Sequence, residues 1–443
     1  MRQNKYKVNE FLSQSWEVES RVIRVPRFLA AKPDAALIRL PWNTPLEAWP
    51  TQHLVALPRG ISRHVVRFIQ VGDEILAAKE ILEEVAVHEY RQLTELRRLG
   101  VPSVEPVGVV LGRQTNDHDP LDPILLTRHL PFSLPYRALF YSGVKLDTVN
   151  RLLDAMVALF ARLHLTGFYW GDVSLSNILF RRDAGEFAAY LVDAETGELH
   201  PDLTPGQREY DVDLARTNII GELMDLQAGG YFPLESDPID VGDRIRTQYD
   251  LLWTEVTAEE SLPNQQRQYL VSERIRRLND LGFDVAELHM STDSSGEHLV
   301  IQPKVVDAGH HNRKFMRLTG MDVGEHQARR LLGDIDAWRA THDMQDVPLE
   351  EAAHDWLTDV FAPIVRAIPR ELAGKLEPAQ LYHEYLEHRW YMAQQAGHDI
   401  PREEALASYI TNILQSKRDE AVLLEPASER SSTFNAASHP DLW

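Results

Sequence analysis

Apolar and polar positions along the chain change their period several times, and each change predicts an element. His64-Val65-Val66-Arg67-Phe68-Ile69 and Glu74-Ile75-Leu76-Ala77-Ala78-Lys79 read as two strands turned at Gly72-Asp73. The period then lengthens. Leu82, Val85, Ala86, Leu93 and Leu96 recur at the spacing of one buried helix face, and Gly100-Val101-Pro102 stops that helix. Two more strands are predicted at Val104 to Leu111 and Pro123 to Thr127. A second helical stripe runs through Val149, Leu152, Leu153, Met156, Val157, Phe160 and Leu163 and ends at Gly167. The loop from Trp170 to Asn177 leads into short strands at Ile178 to Phe180 and Ala189 to Val192, and helices dominate from Gln207. The first forty residues show no readable period. Four prolines between Pro41 and Pro58 predict short extended pieces there.

Strands followed by helices predict an α+β domain with two lobes. A second unit is expected after Glu259 to Gln265, with a helix at Val271 to Leu281. Its hairpin would pair Val285 to Met290 with His298 to Val305 through Ser294-Ser295-Gly296. Helices are then predicted over Glu325 to Trp338, Ala352 to Ile368, Pro378 to Ala396 and Glu403 to Leu414. The resulting division is an N-terminal extension at 1–56 and a two-lobed domain at 57–258, its small lobe about 57–130 and its large lobe about 131–258. A mainly helical C-terminal domain with a small β-hairpin follows at 259–416, and a mobile tail at 417–443.

Composition narrows the function. The 443 residues carry 67 acidic against 46 basic side chains, a formal net charge of −21, which disfavours general nucleic-acid binding. The absence of cysteine removes disulfides, thiolate metal sites and cysteine nucleophiles. The N-terminal stretch lacks the apolar run of a signal peptide, and the stripe from Leu152 to Leu165 is too short and too charged to span a bilayer. A cytoplasmic protein is expected.

Four positions suit one chemistry. Lys79 ends a strand, Asp172 and Asn177 stand five apart in Gly171-Asp172-Val173-Ser174-Leu175-Ser176-Asn177, and Asp193 ends Leu191-Val192-Asp193. Phosphoryl transfer needs a lysine on nucleotide phosphates, a carboxylate and an amide to hold Mg²⁺, and a carboxylate beside the attacking hydroxyl. On a helical wheel Glu89 falls in the middle of the apolar face after Lys79, whereas Glu84 points away. A carboxylate on a buried stripe needs a cation, and Lys79 is the candidate.

Asp172 to Leu179 resembles the catalytic loop of the protein-kinase-like superfamily, and Leu191-Val192-Asp193 resembles its metal-binding strand end. With Trp170-Gly171-Asp172 and Asp193-Ala194-Glu195-Thr196-Gly197, the chain is similar to a bacterial lipopolysaccharide-kinase-like family of unknown function. That family joins a kinase-like half to an uncharacterised C-terminal half. The resemblance covers roughly residues 57 to 228. It implies Asp172 as catalytic base, Asn177 and Asp193 as metal ligands, Lys79 as phosphate clamp and Glu89 as its partner. Pro58-Arg59-Gly60-Ile61-Ser62 stands where a glycine-rich loop would, which implies Gly60 and Ser62 at the phosphates. The implied cofactors are ATP and Mg²⁺. The implied activity is a kinase of a small-molecule, sugar or glycan hydroxyl. The alternatives are a nucleotide-binding pseudokinase acting as a scaffold or regulator, and an interaction protein with an anion-binding C-terminal domain, where a protein partner would dock.

Departures from the superfamily pattern carry their own expectations. Trp170 replaces the usual histidine and would fill its space, and Gly171 replaces the usual arginine. Glu195 replaces the glycine of the metal strand and is expected to face solvent. Either Asp211 or Asp213 supports the loop backbone, or the pair caps the helix that they open. The histidines of His383-Glu384-Tyr385-Leu386-Glu387-His388 are five apart, not the four of a zinc-protease motif. His310, His311 and His326 are expected at the surface or at helix ends. The basic residues from Arg274 to Arg330 are interleaved with acids, which fits solvated helix faces.

Overall fold

The structure, a computed structural model, describes residues 26–420 except 31–34, 58–62, 73, 142–144, 259, 264–266, 281–282 and 293–297. A six-stranded antiparallel sheet forms the first lobe. Its strands are β1 (Arg27–Leu29), β2 (Leu54–Val55), β3 (Val65–Val71), β4 (Glu74–Glu80), β5 (Pro106–Leu111) and β6 (Ile124–Arg128), in the order β1-β5-β6-β4-β3-β2. β3 and β4 pair from Val65↔Glu80 to Val71↔Glu74, as the alternation predicts, and Gly72 turns between them at φ +60°. Helix α1 (Glu83–Arg98) crosses the sheet and buries Ala86, Glu89, Leu93 and Leu96. Leu82 is not on that face: it precedes the first turn and is exposed.

Residues before 57 take part in this lobe. β1 and β2 are its edge strands; a 3₁₀ turn at Ala35–Arg39 precedes the proline-punctuated segment, which forms 3₁₀ turns at Leu46–Ala48 and Thr51–His53 as well as the short extended piece β2. Pro45 and Pro50 each stand immediately before such a turn, where their fixed φ helps and no N–H is needed. The turns lay Leu37, Trp42, Leu46 and Trp49 on the sheet beside Ile69, Leu76 and Ile124. Arg113, almost fully buried, fastens them: its guanidinium donates to Glu80 (2.5 Å), Trp42 O (3.1 Å) and Thr44 O (2.6 Å).

The chain leaves β6 through β7 (Leu134–Pro135) and α2 (Tyr136–Phe140) into α3 (Leu146–Leu165), the central helix of the largest apolar core. β8 (Phe168–Tyr169), the hairpin β9 (Ile178–Asp183) and β10 (Glu186–Leu191), and β11 (Glu198–Leu199) lie over it, followed by α4 (Pro205–Ala228) and α5 (Pro238–Thr257). Thr204 caps α4 in a capping box with Gln207.

A second three-stranded sheet, β12 (Glu260–Pro263), β13 (Phe283–Thr292) and β14 (His298–Ala308), brackets α6 (Arg267–Asp280). The turn expected at Ser294-Ser295-Gly296 lies outside the described residues. Then come α7 (His310–Thr319), α8 (Glu325–Thr341), α9 (Leu349–Trp356), α10 (Ala362–Arg366), α11 (Pro378–Ala396) and α12 (Arg402–Asn412). The helix expected over 352–368 is interrupted by a π-helical turn at Leu357–Phe361, next to Pro363, which has no N–H to give the ladder. A separate core around Phe315, Leu331, Trp356, Tyr382 and Tyr409 holds these helices. The fold is therefore α+β, with two kinase-like lobes and a helical C-terminal region bearing a hairpin. No helix among the described residues is long and apolar enough to cross a membrane.

The C-terminal helices grip the tip of the β9–β10 hairpin. Asp183, buried, accepts from the backbone N–H of His326 (3.0 Å) and Gln327 (2.7 Å), so it serves as a cap for α8 from a distant part of the chain. Arg181 pairs with Glu377 at 2.5 Å and Arg182 with Glu420 at 2.8 Å. Lys417 to Glu420, expected within the tail, are thus fixed in place: Lys417 pairs with Glu384 of α11 at 2.9 Å, while Arg418, donating to Ala138 O at 3.3 Å, and Glu420 reach the large lobe. Residues 421–443 of that expected tail lie outside the described residues. A Cβ at Gly324 would overlap the Asp183 carboxylate, so this glycine is required by close approach and not by φ. Gly324→Ala should lower unfolding free energy by about 1–3 kcal/mol and Asp183→Ala by about 1–2 kcal/mol in urea denaturation of the full chain. An unchanged midpoint in both would mean that this contact does not hold the two parts together.

Candidate active site

A cleft of about 390 Å³ opens between the lobes. Its inner walls are apolar, with Val66 and Ala77 above and Leu179 and Val192 below, and Thr127 to Leu130 form its back edge. Its other end is charged and contains Lys79, Asp172, Asn177 and Asp193. Four positions spread over more than a hundred residues of sequence thus meet in one place.

Lys79 reaches the cleft from β4. Its Nζ lies 3.1 Å from Glu89 Oε2, 2.7 Å from Asp193 Oδ2 and 3.1 Å from Glu195 Oε2. The pairing with Glu89 follows from the helix period. Glu83 and Glu84 open α1, and neither is a partner of Lys79. Burial lowers the affinity of Lys79 for its proton, but Glu89, Asp193 and Glu195 outweigh it and the net shift is upward. Burial, reinforced by Asp193, pushes Glu89 up to about 8 despite the lysine. One ammonium cannot neutralise three carboxylates, and the most deeply buried acid retains a proton most readily.

Glu195 does not face solvent, contrary to expectation. It accepts from Lys79, from Arg63 Nη2 at 2.7 Å, and meets His64 Nε2 at 3.0 Å. Burial opposes its charge, yet Lys79, His64 and Arg63 hold its carboxyl below the ordinary range. Arg63 also approaches Asp172 Oδ2 at 3.5 Å, so the first residues of the β3 arm touch both acids across the cleft. Gly60 and Ser62, expected at the phosphates, lie outside the described residues.

The loop from Trp170 to Asn177 is held chiefly by one face of α4. Asp211 accepts from the N–H of Trp170 (2.8 Å) and Gly171 (2.9 Å). Asn218 donates to Val173 O (2.9 Å), and Glu222 accepts from Leu175 N (2.8 Å) and Ser176 Oγ (2.8 Å). Asp211 is therefore a backbone support and not a cap, while Asp213 lies on the exposed side, paired with Arg246. Asn218 and Glu222 were not recognised in the sequence. The spacing 211, 218, 222 keeps all three on one edge of the buried stripe, and that was the available signal. Trp170 is fully buried where histidine is usual, and its Nε1 donates to Asp193 O at 3.0 Å. Gly171 sits at φ +78° with Thr196 O and the Tyr169 ring close to its missing Cβ, so arginine has no room there. Asn177 Nδ2 closes the loop on Asp172 O at 2.9 Å.

His311 meets Glu325 at 2.6 Å, His388 meets Ser408 at 2.9 Å, and His383 is buried. Arg274 is buried on Glu255. Among the described residues the one group of three potential metal-ligating side chains is Glu89, Asp193 and Glu195.

His129, at the back edge of the cleft, gives a pH test. Burial pushes its imidazole from an ordinary 6.5 down to about 4. Between these values the unfolded chain binds a proton that the folded chain refuses, so stability rises with pH across that window and is lost as pH falls. His129→Gln should flatten the decline in melting temperature between pH 6.5 and pH 4. Parallel curves for the two proteins would remove His129 from the acid response.

Comparison with known proteins gives two matches along the chain. Residues 74–219 match the lipopolysaccharide kinase (Kdo/WaaP) family, and residues 251–414 match a domain of unknown function, DUF4032. No curated protein matches the chain. Among solved structures, one described as WaaP in complex with acyl carrier protein aligns with 14% identity over 58% of this chain and 99% of that one, at a TM-score of 0.34. The resemblance read from the catalytic loop is therefore matched by residues 74–219, which are similar to the lipopolysaccharide kinases, and these are followed by a domain of unknown function.

Proposed function

We propose that this chain is an ATP- and Mg²⁺-dependent phosphotransferase acting on a hydroxyl of a small molecule, sugar or glycan. The observation that carries the reading is the convergence of Lys79, Asp172, Asn177 and Asp193 at the charged end of one cleft. The match of residues 74–219 to a kinase family supports it, and such a family implies ATP use. The apolar slot between Ala77 and Leu179 suits the faces of a purine, with Thr127 to Leu130 at its edge.

Asp193 and Asn177 present a carboxylate and an amide, the hard oxygen donors that suit Mg²⁺, and they would hold it. When bound, the ion would offset the negative charge of the phosphates. Lys79, set by Glu89, would fix the phosphates in register with the acceptor. Asp172 would orient the acceptor hydroxyl and take its proton as the new P–O bond forms and the bond to the leaving nucleoside diphosphate breaks. Asp211, Asn218 and Glu222 keep that carboxylate in place through the loop backbone. We also propose the division of labour implied by the sequence, with nucleotide chemistry before about residue 258 and a docking or regulatory unit after it.

Mg²⁺ with ATP should raise the melting temperature, because a ligand of the folded state stabilises it by mass action. Asp193→Asn should remove most of the Mg²⁺ dependence of that rise. Asp172→Asn should reduce ADP release in the presence of a responding acceptor by about 10²-fold or more while ATP affinity barely changes. An unchanged melting curve at millimolar MgATP would refute nucleotide binding, and wild-type turnover in Asp172→Asn would take Asp172 out of the mechanism.

A further inference from the structure

Two cations and a histidine converge on one acid at the charged end of the cleft. Glu195 Oε2 is 3.1 Å from Lys79 Nζ and 3.0 Å from His64 Nε2, while Oε1 is 2.7 Å from Arg63. Lys79 and His64 come from the small lobe's strands or their approach, and Arg63 follows the segment where a phosphate-binding loop would stand. These are the groups available to hold a polyphosphate, and a carboxylate from the large lobe already engages all of them. A backbone bond keeps it there: Glu195 N donates to Asp193 Oδ1 at 3.0 Å.

We propose that Glu195 is a specificity-determining residue that occupies the phosphate position as an internal anion and makes the cleft discriminate against uncomplexed polyphosphate. The inference rests on the nucleotide-binding reading of the cleft and concerns which charge state of the ligand is admitted. A free triphosphate brings three or more negative charges to a place where Glu195, Asp193 and Asp172 already outnumber the two fixed cations, Lys79 and Arg63, and it must compete with Glu195 for each of them. A triphosphate carrying a divalent cation brings less net charge together with a counter-ion for the displaced carboxylates. Glu195 thus taxes the wrong ligand more than the right one, which is how an unfavourable charge creates selectivity.

The geometry also explains why a glutamate stands where the superfamily has glycine. Side-chain reach is needed: the same residue must touch Lys79 within the cleft and Arg63 at its outer lip. Arg63 is largely exposed, with 71% of its side chain accessible, whereas the Glu195 side chain is only 12% accessible. The exposed partner is therefore the arginine, and the acid is the enclosed post on which its partners gather.

The test is equilibrium binding, measured by calorimetry on the full chain with inorganic tripolyphosphate in EDTA and, separately, with MgATP. Glu195→Gln preserves shape and removes the charge. It should bind metal-free tripolyphosphate roughly tenfold tighter than wild type or better, since one unit charge is removed beside the ligand. MgATP affinity should stay within about threefold, so the preference for the metal complex narrows. Adding Arg63→Met to Glu195→Gln should take back most of the gain, because the released arginine supplies it. If Glu195→Gln lowers the melting temperature sharply, Glu195→Asp, which shortens the reach to Arg63 without disturbing the loop backbone, should show a smaller gain in the same direction.

Unchanged tripolyphosphate binding in Glu195→Gln, in a protein that still binds MgATP, would overturn the inference. So would a loss of MgATP affinity without any gain for tripolyphosphate, which would make Glu195 a contributor to the metal complex. A wild type that binds no MgATP, with a variant that gains tripolyphosphate, would leave the internal anion standing and refute the nucleotide reading.

Discussion

One ammonium group shared among three carboxylates organises the cleft. Lys79 lies within 3.1 Å of Glu89, Asp193 and Glu195, which arrive from α1, from the end of β10 and from the turn beyond it. None of these acids could be buried there alone, because an uncompensated charge in the interior costs several kcal/mol. The lysine therefore dictates how α1 is rotated against the sheet and how close the large lobe approaches the small one. The count of charges remains unbalanced, and the burden falls on Glu89, whose carboxyl is pushed up to about 8. The same imbalance draws Arg63 and His64 to Glu195 from the other side of the cleft.

The loop below this cluster is rigid for a different reason. Apart from the 3₁₀ turn at Leu175–Asn177, its backbone pairs in neither strand nor helix, so its polar groups need partners supplied from outside. Helix α4 provides them from a single edge, through Asp211, Asn218 and Glu222. His164 adds to the support on Asp211, and its burial against Tyr249 lowers its affinity for a proton. Trp170 fills the volume and still finds an acceptor for its indole N–H on Asp193 O. The loop bearing Asp172 and the strand end bearing Asp193 are consequently one rigid piece.

That piece extends into the C-terminal unit. The β9–β10 hairpin has Asn177 just before its first strand and Asp193 just after its second, and its tip is held by α8 and α11. Asp183 satisfies two N–H groups at the start of α8 that no residue of that helix can reach, and Gly324 leaves the space for it. Arg181 and Arg182 add buried or half-buried pairs to Glu377 and Glu420. The helical unit is thus joined to the hairpin by polar contacts of defined geometry.

What the chain's own pattern determined was local or periodic. The alternation on either side of Gly72 set the β3–β4 register, the α1 stripe placed Glu89 toward Lys79, and the five-residue spacing from Asp172 to Asn177 marked the loop. Only the tertiary structure decided where residues without a period would point. Glu195 sits in a turn, so nothing in its neighbours distinguished solvent from cleft, and the partners that hold it inward come from residues 63, 64 and 79. Residues 27–29 and 54–55 become edge strands because the sheet offers them unpaired backbone, not because their short sequences alternate. Leu82 is exposed because the helix begins one residue after it. The capping of α8 by Asp183 joins positions more than 140 residues apart. Periodicity reports which face of an element is buried, and it is silent on which charged groups that face will meet, since that depends on how distant elements pack.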